Sequence, residues 1–288
     1  PAQIARLIAE NNVSHLLCLP TLHSLLVAEI EPGAINTLKC VVVAGETCLS
    51  EVIERHSVVL PGTEIFNEYG PAENAVWTSV YGDCSKLSRV PVPVGTPIAN
   101  ARMYILEEYL EPTPIGVKGE ICISGTGLAR GYLGKPDLTA ERFIPNQFVG
   151  KGGERMYRTG DVGRFLPDGN MEFIGRADQQ VKVRGYRIEL GEIEAVLNEH
   201  RWVRQSVVVA SQDERGGKRL LGYVVGEEGA TAAELRRHVR ERLPEYMAPE
   251  AIFILEEMPL TANGKIDRQR LPSPENAGGS ADAGYAGA

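Results

Sequence analysis

Apolar and polar positions set two rhythms along the chain. IARLIAENN (4–12) places its apolar residues at helical spacing, and HLLCLP (15–20) is a short apolar run ended by proline. TLHSLLVAEI (21–30) is again helix-like, CVVVAG (40–45) reads as a buried strand closed by glycine, and LSEVIERHS (49–57) follows as a helix. This order predicts a parallel-rich sheet covered by helices, with ligands gathering beyond the carboxyl ends of its strands, where Ala44, Gly45 and Glu46 fall. From about residue 90 to 175 the pattern changes. Short strand-like runs, ARMYILE (101–107), GEICISG (119–125) and NMEFIGR (170–176), are broken by turns such as PDG (167–169), which predicts a strand-rich subdomain.

After Arg176 a third pattern begins: strand 180–185, helix 190–200, strands 203–211 and 219–227, helix 232–243, strand 251–258. That order is the split βαβ arrangement, a small α+β unit, and Thr231 with Glu234 forms a capping box ahead of its second helix. The segment 273–288, SPENAGGSADAGYAGA, reads as a flexible linker toward a further domain. The fold class is therefore α/β: a parallel-rich sheet with helices and a strand-rich subdomain over 1–177, a small α+β C-terminal subdomain over 178–272, and the linker.

Composition narrows the classes. With 288 residues and 43% hydrophobic side chains the chain can bury a core without disulfides. A net charge of −8 argues against nucleic-acid or anionic-membrane binding, while a small anionic ligand needs only local positive charge. No apolar run is long enough to span a bilayer and no signal peptide opens the chain. Cys18, Cys40, Cys48, Cys84 and Cys122 form no C-x-x-C pair, which predicts reduced thiols in a cytoplasmic protein rather than disulfides or a zinc site.

Four stretches carry candidate chemistry. NEYGPAENAVW (67–77) leaves Tyr69 and Glu73 as the side chains of interest, although on these residues alone a plain loop is the better reading. GEICISGTGLARGYLGKPDLTAERF (119–143) is rich in glycine but fits neither the Walker pattern nor the dinucleotide fingerprint, so structural turns explain it better. In YRTGDVGRF (157–165), Asp161 could grip two sugar hydroxyls or cap a turn. In GRADQQVKVRGYRIELGEIE (175–194), Arg176, Lys182, Arg184 and Arg187 make a basic stretch suited to phosphate, or a solvated strand face.

Taken in this order, and with MPLTANGKIDR (258–268) added, these stretches resemble the motifs of nonribosomal peptide synthetase adenylation domains, within the adenylate-forming ligases. The likeness runs from about residue 15 to 272. It implies a two-step reaction: an amino-acid carboxylate attacks the α-phosphate of ATP to give aminoacyl-AMP and pyrophosphate, and the acyl group then passes to the phosphopantetheine thiol of a peptidyl carrier domain. The resemblance makes Lys265 the catalytic cation, and the Asn263-Gly264 turn the device that aims it. ATP would be bound by Gly45, Glu46, Asn67 and Tyr69 (adenine), Asp161 (ribose), Phe173 and Arg176, with Glu73 holding Mg²⁺. The amino-acid pocket would be lined by Cys18, Val42, Ala44, Glu68, Val76 and Trp77. Asp178 matches the hinge between large and small domains, and Lys182 and Gly185 the loop used for thiolation.

The resemblance also implies a role in antibiotic biosynthesis, a carrier domain in the same parent chain and a condensation domain upstream. Two departures stand out. Ala72 replaces the usual Thr, removing a hydroxyl expected near the α-phosphate, and the pyrophosphate-gripping loop and amino-group aspartate have no counterpart. By this resemblance the 288 residues look like the second part of an adenylation core (1–177) with its small C-terminal subdomain (178–272) and a linker, and alone they are expected to be inactive. The alternatives are an aryl-acid or acyl-CoA-type ligase, or a non-catalytic carrier-docking fragment.

Overall fold

The computed structural model describes residues 1–84, 91–150, 152–178, 180–183, 185–212, 218–227, 229–261 and 266–272. Lys265, Arg184 and the expected linker 273–288 lie outside the described residues. The chain divides into two compact units, Pro1–Asp178 and Gln179–Ala288.

The first unit opens with α1 (Ala2–Glu10), β1 (His15–Cys18), α2 (Pro20–Ala28), β2 (Cys40–Ala44), α3 (Ser50–Val59), β3 (Glu64–Tyr69), β4 (Ser79–Tyr81) and β5 (Thr96–Pro97). Its sheet runs β1-β2-β3-β4-β5, parallel through β3 and antiparallel beyond. Proline at the first position of α2 lacks an N–H that would have had no helical partner there, so it starts the helix without loss. Successive strand side chains point to opposite faces. Val41, Val43 and Ile65 therefore pack with Leu26, Val27 and Ile53 of the helices into a buried core.

The second sheet is antiparallel, as the Gly/Pro-punctuated pattern predicts. It contains β6 (Ala101–Leu106), β7 (Gly119–Gly125), β8 (Phe143–Pro145), β9 (Arg155–Phe165) and β10 (Met171–Arg176), in the order β10-β9-β7-β6, with β8 on β9. Helix α4 (Pro136–Arg142) precedes β8. Met103, Ile105, Ile121, Ile123 and Met171 fill its core, and Tyr69 at the end of β3 packs into the same cluster.

The second unit departs from expectation in one respect. The strand predicted at 180–185 does not join the main sheet. It forms a two-stranded hairpin of β11 (Val181–Val183) with β12 (Tyr186–Ile188). The register closes at Val183 opposite Tyr186, and Gly185 in that connection has φ 80, so the chain turns back before it can reach another strand. The sheet proper has three strands, β13 (Val203–Gln212), β14 (Lys218–Gly226) and β15 (Ala251–Leu255), with α5 (Leu190–Asn198) and α6 (Ala232–Arg240). The N-cap half of the expected capping box forms: the Thr231 hydroxyl accepts the Glu234 N–H at 3.3 Å.

Buried histidines make the first unit acid-sensitive. His56 Nε2 lies 2.8 Å from the Thr63 carbonyl, which can only accept, so that nitrogen carries the proton. Neutral His56 then accepts at Nδ1 from His23 Nε2, 2.9 Å away, leaving His23 Nδ1 buried without a partner. Burial, and secondarily His56, lowers the His23 pKa to about 4. His56 is lowered too, by burial, against the opposing pull of the Thr63 carbonyl and Asp83. A folded pKa below the unfolded value of about 6.5 gives stability that is full above pH 6.5 and declines as pH falls toward 4. His23 alone accounts for roughly 3 kcal/mol of that loss. Urea midpoints at pH 7, 5.5 and 4.5 should fall steadily, with the pH 7 to 4.5 drop smaller in His23→Leu; a profile as steep in that variant counts against the account.

Candidate functional site

In the first unit, the strand pairing of β9 with β10 sets Asp161 directly opposite Arg176. Arg176 Nη1 donates to Asp161 Oδ1 at 2.6 Å, and Tyr69 Oη donates to Oδ2 at 2.5 Å. Arg176 also grips Asp178 in a fork, Nε to Oδ1 and Nη2 to Oδ2, both 2.6 Å. The Arg176 and Asp161 side chains are 11% and 6% exposed, so the pair is largely withdrawn from water. Burial, and then the Asp161 charge, raises the Tyr69 pKa well above its ordinary value, so the phenol stays a donor. Phe173 lies beside Tyr69, ring centroids 6.2 Å apart, just before the irregularity that lets β10 swing Arg176 into line. Gly160, at φ 72, lies under the fork: a Cβ there would stand 2.7 Å from Arg176 Nη2. Four predicted residues, Tyr69, Asp161, Arg176 and Asp178, are thus one connected network, with Phe173 against it.

Glu73 belongs to a second cluster. Its Oε1 accepts from Tyr132 Oη and Tyr157 Oη, each at 2.7 Å, and the phenols are 3.1 Å apart. Burial, then hydrogen bonding to Tyr157 and Glu73, raises the Tyr132 pKa, keeping it a donor to the carboxylate. Neither tyrosine was predicted for the site. Both occur in quoted motifs, but Glu73 lies on the turn after β3, Tyr132 in the loop between β7 and α4 and Tyr157 on β9, so only tertiary packing brings them together. Among the described residues no group of three or more His, Cys, Asp or Glu is placed to hold a metal. Mg²⁺ needs no such cage, because it binds through one or two carboxylates plus substrate phosphates and water. A single oriented carboxylate such as Glu73 fits that ion.

The pairing register sorts the predicted pocket. Leu17, Val42 and Phe66 lie side by side across β1, β2 and β3, and Ala44 pairs with Glu68 on the same face. Cys18, at the end of β1, pairs with Val43 and packs partly buried against the helix-covered core, and burial pushes its thiol up to about 11. The residue facing Val42 is Leu17, which is 57% exposed. Two adjacent leucines, Leu16 and Leu17, hide that choice from the sequence. Val76 and Trp77 lie on the return from β3 to β4, beside the β3 end that carries Glu68.

Gly45, at φ 87, turns the chain after β2, and Glu46 Oε2 accepts from the Thr21 hydroxyl at 2.7 Å, at the start of α2. Asn67 is buried and donates its amide N–H to the Pro93 carbonyl at 2.7 Å, so an adenine amino group would have to reach its carbonyl oxygen. In the second unit Lys182 is half-buried on β11 and Gly185 occupies the hairpin connection. The base of the segment carrying Lys265 is described: Leu260 pairs with Ile266, and the Asp267 N–H donates to the Pro259 carbonyl at 2.7 Å.

A family profile described as AMP-binding enzyme matches residues 1–133, and one described as AMP-binding enzyme C-terminal domain matches residues 192–265. The chain belongs to the AMP-binding enzyme family, whose two models together match most of its length. Within it, the sequence is 48% identical over 252 residues to Tyrocidine synthase 3 of Brevibacillus parabrevis, covering 87% of this chain and 4% of that protein. It is 45% identical over 276 residues to Bacitracin synthase 3 of Bacillus licheniformis, covering 96% of this chain and 4% of that one. The chain therefore spans a small part of the curated relatives it matches.

Among solved structures it is similar to holo-PA1221, an NRPS protein containing adenylation and PCP domains, with TM-score 0.80 and 29% identity over 92% of this chain and 45% of that one. It is also similar to NpsA-ThdA, an artificially fused adenylation-PCP di-domain from Klebsiella oxytoca, with TM-score 0.70 and 33% identity over 87% of this chain and 46% of that one. No helix among the described residues is long and apolar enough to cross a membrane.

Proposed function

We propose that this chain forms the adenosine-binding and acyl-binding part of an amino-acid-activating site that makes aminoacyl-AMP and passes the acyl group to a carrier-domain thiol. The observation that carries the reading is the buried network of Tyr69, Asp161, Arg176 and Asp178. Asp161 retains acceptor capacity beyond two bonds, which suits vicinal ribose hydroxyls. Arg176, fixed on both sides by carboxylates, presents a guanidinium pre-oriented for the ribose and α-phosphate. Phe173 and Tyr69 offer an aromatic flank for the adenine. Glu73, oriented by its two tyrosines, would hold Mg²⁺, which when bound offsets phosphate charge.

Lys265 supplies the compact cation that bridges substrate carboxylate and nucleotide as negative charge gathers between them. Ala72 withholds one hydroxyl from the α-phosphate, which weakens the step by about 1 kcal/mol without abolishing it. The pocket face of Leu17, Val42, Phe66 and Ala44, with Glu68 as its one charge, favours an apolar acyl side chain bearing a polar group. The peptide-synthetase relatives and the adenylation-PCP structures support a carrier domain as acceptor.

The test is pyrophosphate exchange by the natural protein that carries this chain, offered amino, aryl and fatty acids in turn. Amino acids alone should support exchange, and Lys265→Ala should slow it by about 100-fold or more. Preference for aryl or fatty acids overturns the substrate class, and an unchanged rate in Lys265→Ala removes that lysine from the chemistry.

A further inference from the structure

The return from β3 to β4 holds backbone that its residues disfavour. Ala75 and Val76 are consecutive at positive φ, 52 and 75. A β-branched residue there is a genuine outlier, because its Cβ crowds the neighbouring backbone. The Trp77 N–H donates to the Ala75 carbonyl at 3.0 Å, closing a three-residue turn about Val76 of the strained, positive-φ kind. Strain of this sort persists only where the surroundings over-determine it, and it gathers at functional sites.

Three features impose it. Asn74 and Thr78 are both buried, and Asn74 Nδ2 donates to Thr78 Oγ1 at 2.9 Å, pinching the two ends of the turn together. Thr78 is itself tied down: its N–H donates to the Tyr69 carbonyl and its carbonyl accepts from Ile98 N–H, each at 2.9 Å. Gly70 lies against the far side, where a Cβ would stand 2.1 Å from the Val76 carbonyl oxygen. The clamp is kept although Asn74 Oδ1 is buried with no partner, an arrangement that lowers stability. What it holds in place is an apolar side chain that is 49% exposed, Val76, followed by half-buried Trp77.

We propose that Asn74 and Thr78 are positioning residues, whose hydrogen bond holds the strained turn at Val76 and so fixes which acyl side chains the pocket accepts. This rests on the reading of Val76 and Trp77 as pocket residues. The clamp touches neither nucleotide nor acyl group; it sets the place of two side chains that meet the acyl group.

The experiment measures exchange kinetics in the natural protein across a panel of amino acids, with melting temperature followed in parallel. Thr78→Val keeps the side-chain shape and removes the acceptor. It should raise KM for the preferred amino acid about tenfold and flatten the preference across the panel, while KM for ATP stays within about twofold. Asn74→Ala should do the same, and the double variant should be no worse than the poorer single, as for two ends of one bond. Thr78→Ser, which keeps the hydroxyl, should restore the wild-type KM.

If Thr78→Val folds poorly, Asn74→Ala decides. That variant removes the donor together with the unpartnered Oδ1, so it should keep the melting temperature near wild type while loosening the turn and flattening the panel. An unchanged amino-acid KM and unchanged preference in whichever variant is read overturns the proposal, as does a parallel rise in both KM values. If the wild-type enzyme prefers an aryl or fatty acid, the amino-acid reading fails by itself, and the same KM comparison on the accepted acid decides the role of the turn.

Discussion

Asp161→Ala should destabilise the first unit by about 3 kcal/mol, at the lower end of the 3–5 kcal/mol range for removing one partner of a buried ion pair. The direction follows from what is stranded. Arg176 loses its most buried counter-charge, and the Tyr69 phenol loses its acceptor in a site with little water. The loss stays at the lower end because Arg176 keeps its fork on Asp178, whose side chain is 32% exposed. Asp161→Asn retains an acceptor for Tyr69 and should cost less than the alanine variant. Urea denaturation compares the two, and the natural protein's KM for ATP should rise in both. Destabilisation below about 1 kcal/mol by alanine would show that Asp178 alone satisfies Arg176 and that Asp161 contributes little to the fold.

Gly95→Ala should be more damaging still. Gly95 sits at φ 82, and a Cβ would meet the Val80 carbonyl oxygen at 1.8 Å and Tyr81 N at 2.2 Å. Both are backbone atoms of β4, so no side-chain rotation relieves the overlap. Nor can Gly95 retreat: its carbonyl accepts from Met171 N–H, and the Met171 carbonyl accepts from the neighbouring Val94 N–H, each at 2.8 Å. The residue therefore pins the edge of the first sheet to β10 of the second, the arrangement that brings Tyr69 to Asp161. Backbone overlap at positive φ places the expected loss above about 4 kcal/mol, beyond the usual range for one substitution. Chemical denaturation, or failure to recover folded chain, reads the effect. A variant within about 1 kcal/mol of wild type would mean that the junction deforms more readily than its hydrogen bonds indicate.

How far the sequence could be read depended on the range of the signal. The helices at 2–10, 20–28, 50–59, 190–198 and 232–240 were legible because helical spacing and a capping box are local. Strand β2 was legible as an unbroken apolar run. Strands β3 and β9 were not. Polar residues at 67–68 and glycines at 160 and 163 interrupt the alternation, so NEYGPAE reads as a loop and Asp161 as either a sugar-hydroxyl grip or a turn cap, although 67–69 and 159–161 lie within strands. Burial between neighbours overrides weak strand propensity there. The resemblance supplied the residue types of the site, while its partners Leu17, Tyr132, Tyr157, Asn74 and Thr78 went unseen.

By itself the sequence determined the α/β class, the change in pattern after Arg176, the absence of cysteine spacing for a metal or disulfide frame, and the candidate charges at Asp161 and Arg176. Each depends on neighbours in the chain or on composition. The tertiary structure alone decided which face of β1 looks toward Val42, that Tyr69 is the phenol on Asp161, that two tyrosines orient Glu73, and that the strand after Arg176 folds onto β12. Those outcomes turn on register and on contacts between residues up to 92 positions apart, as in the bond from Tyr69 to Asp161. A one-residue slip in pairing would reverse each facing without changing any local pattern.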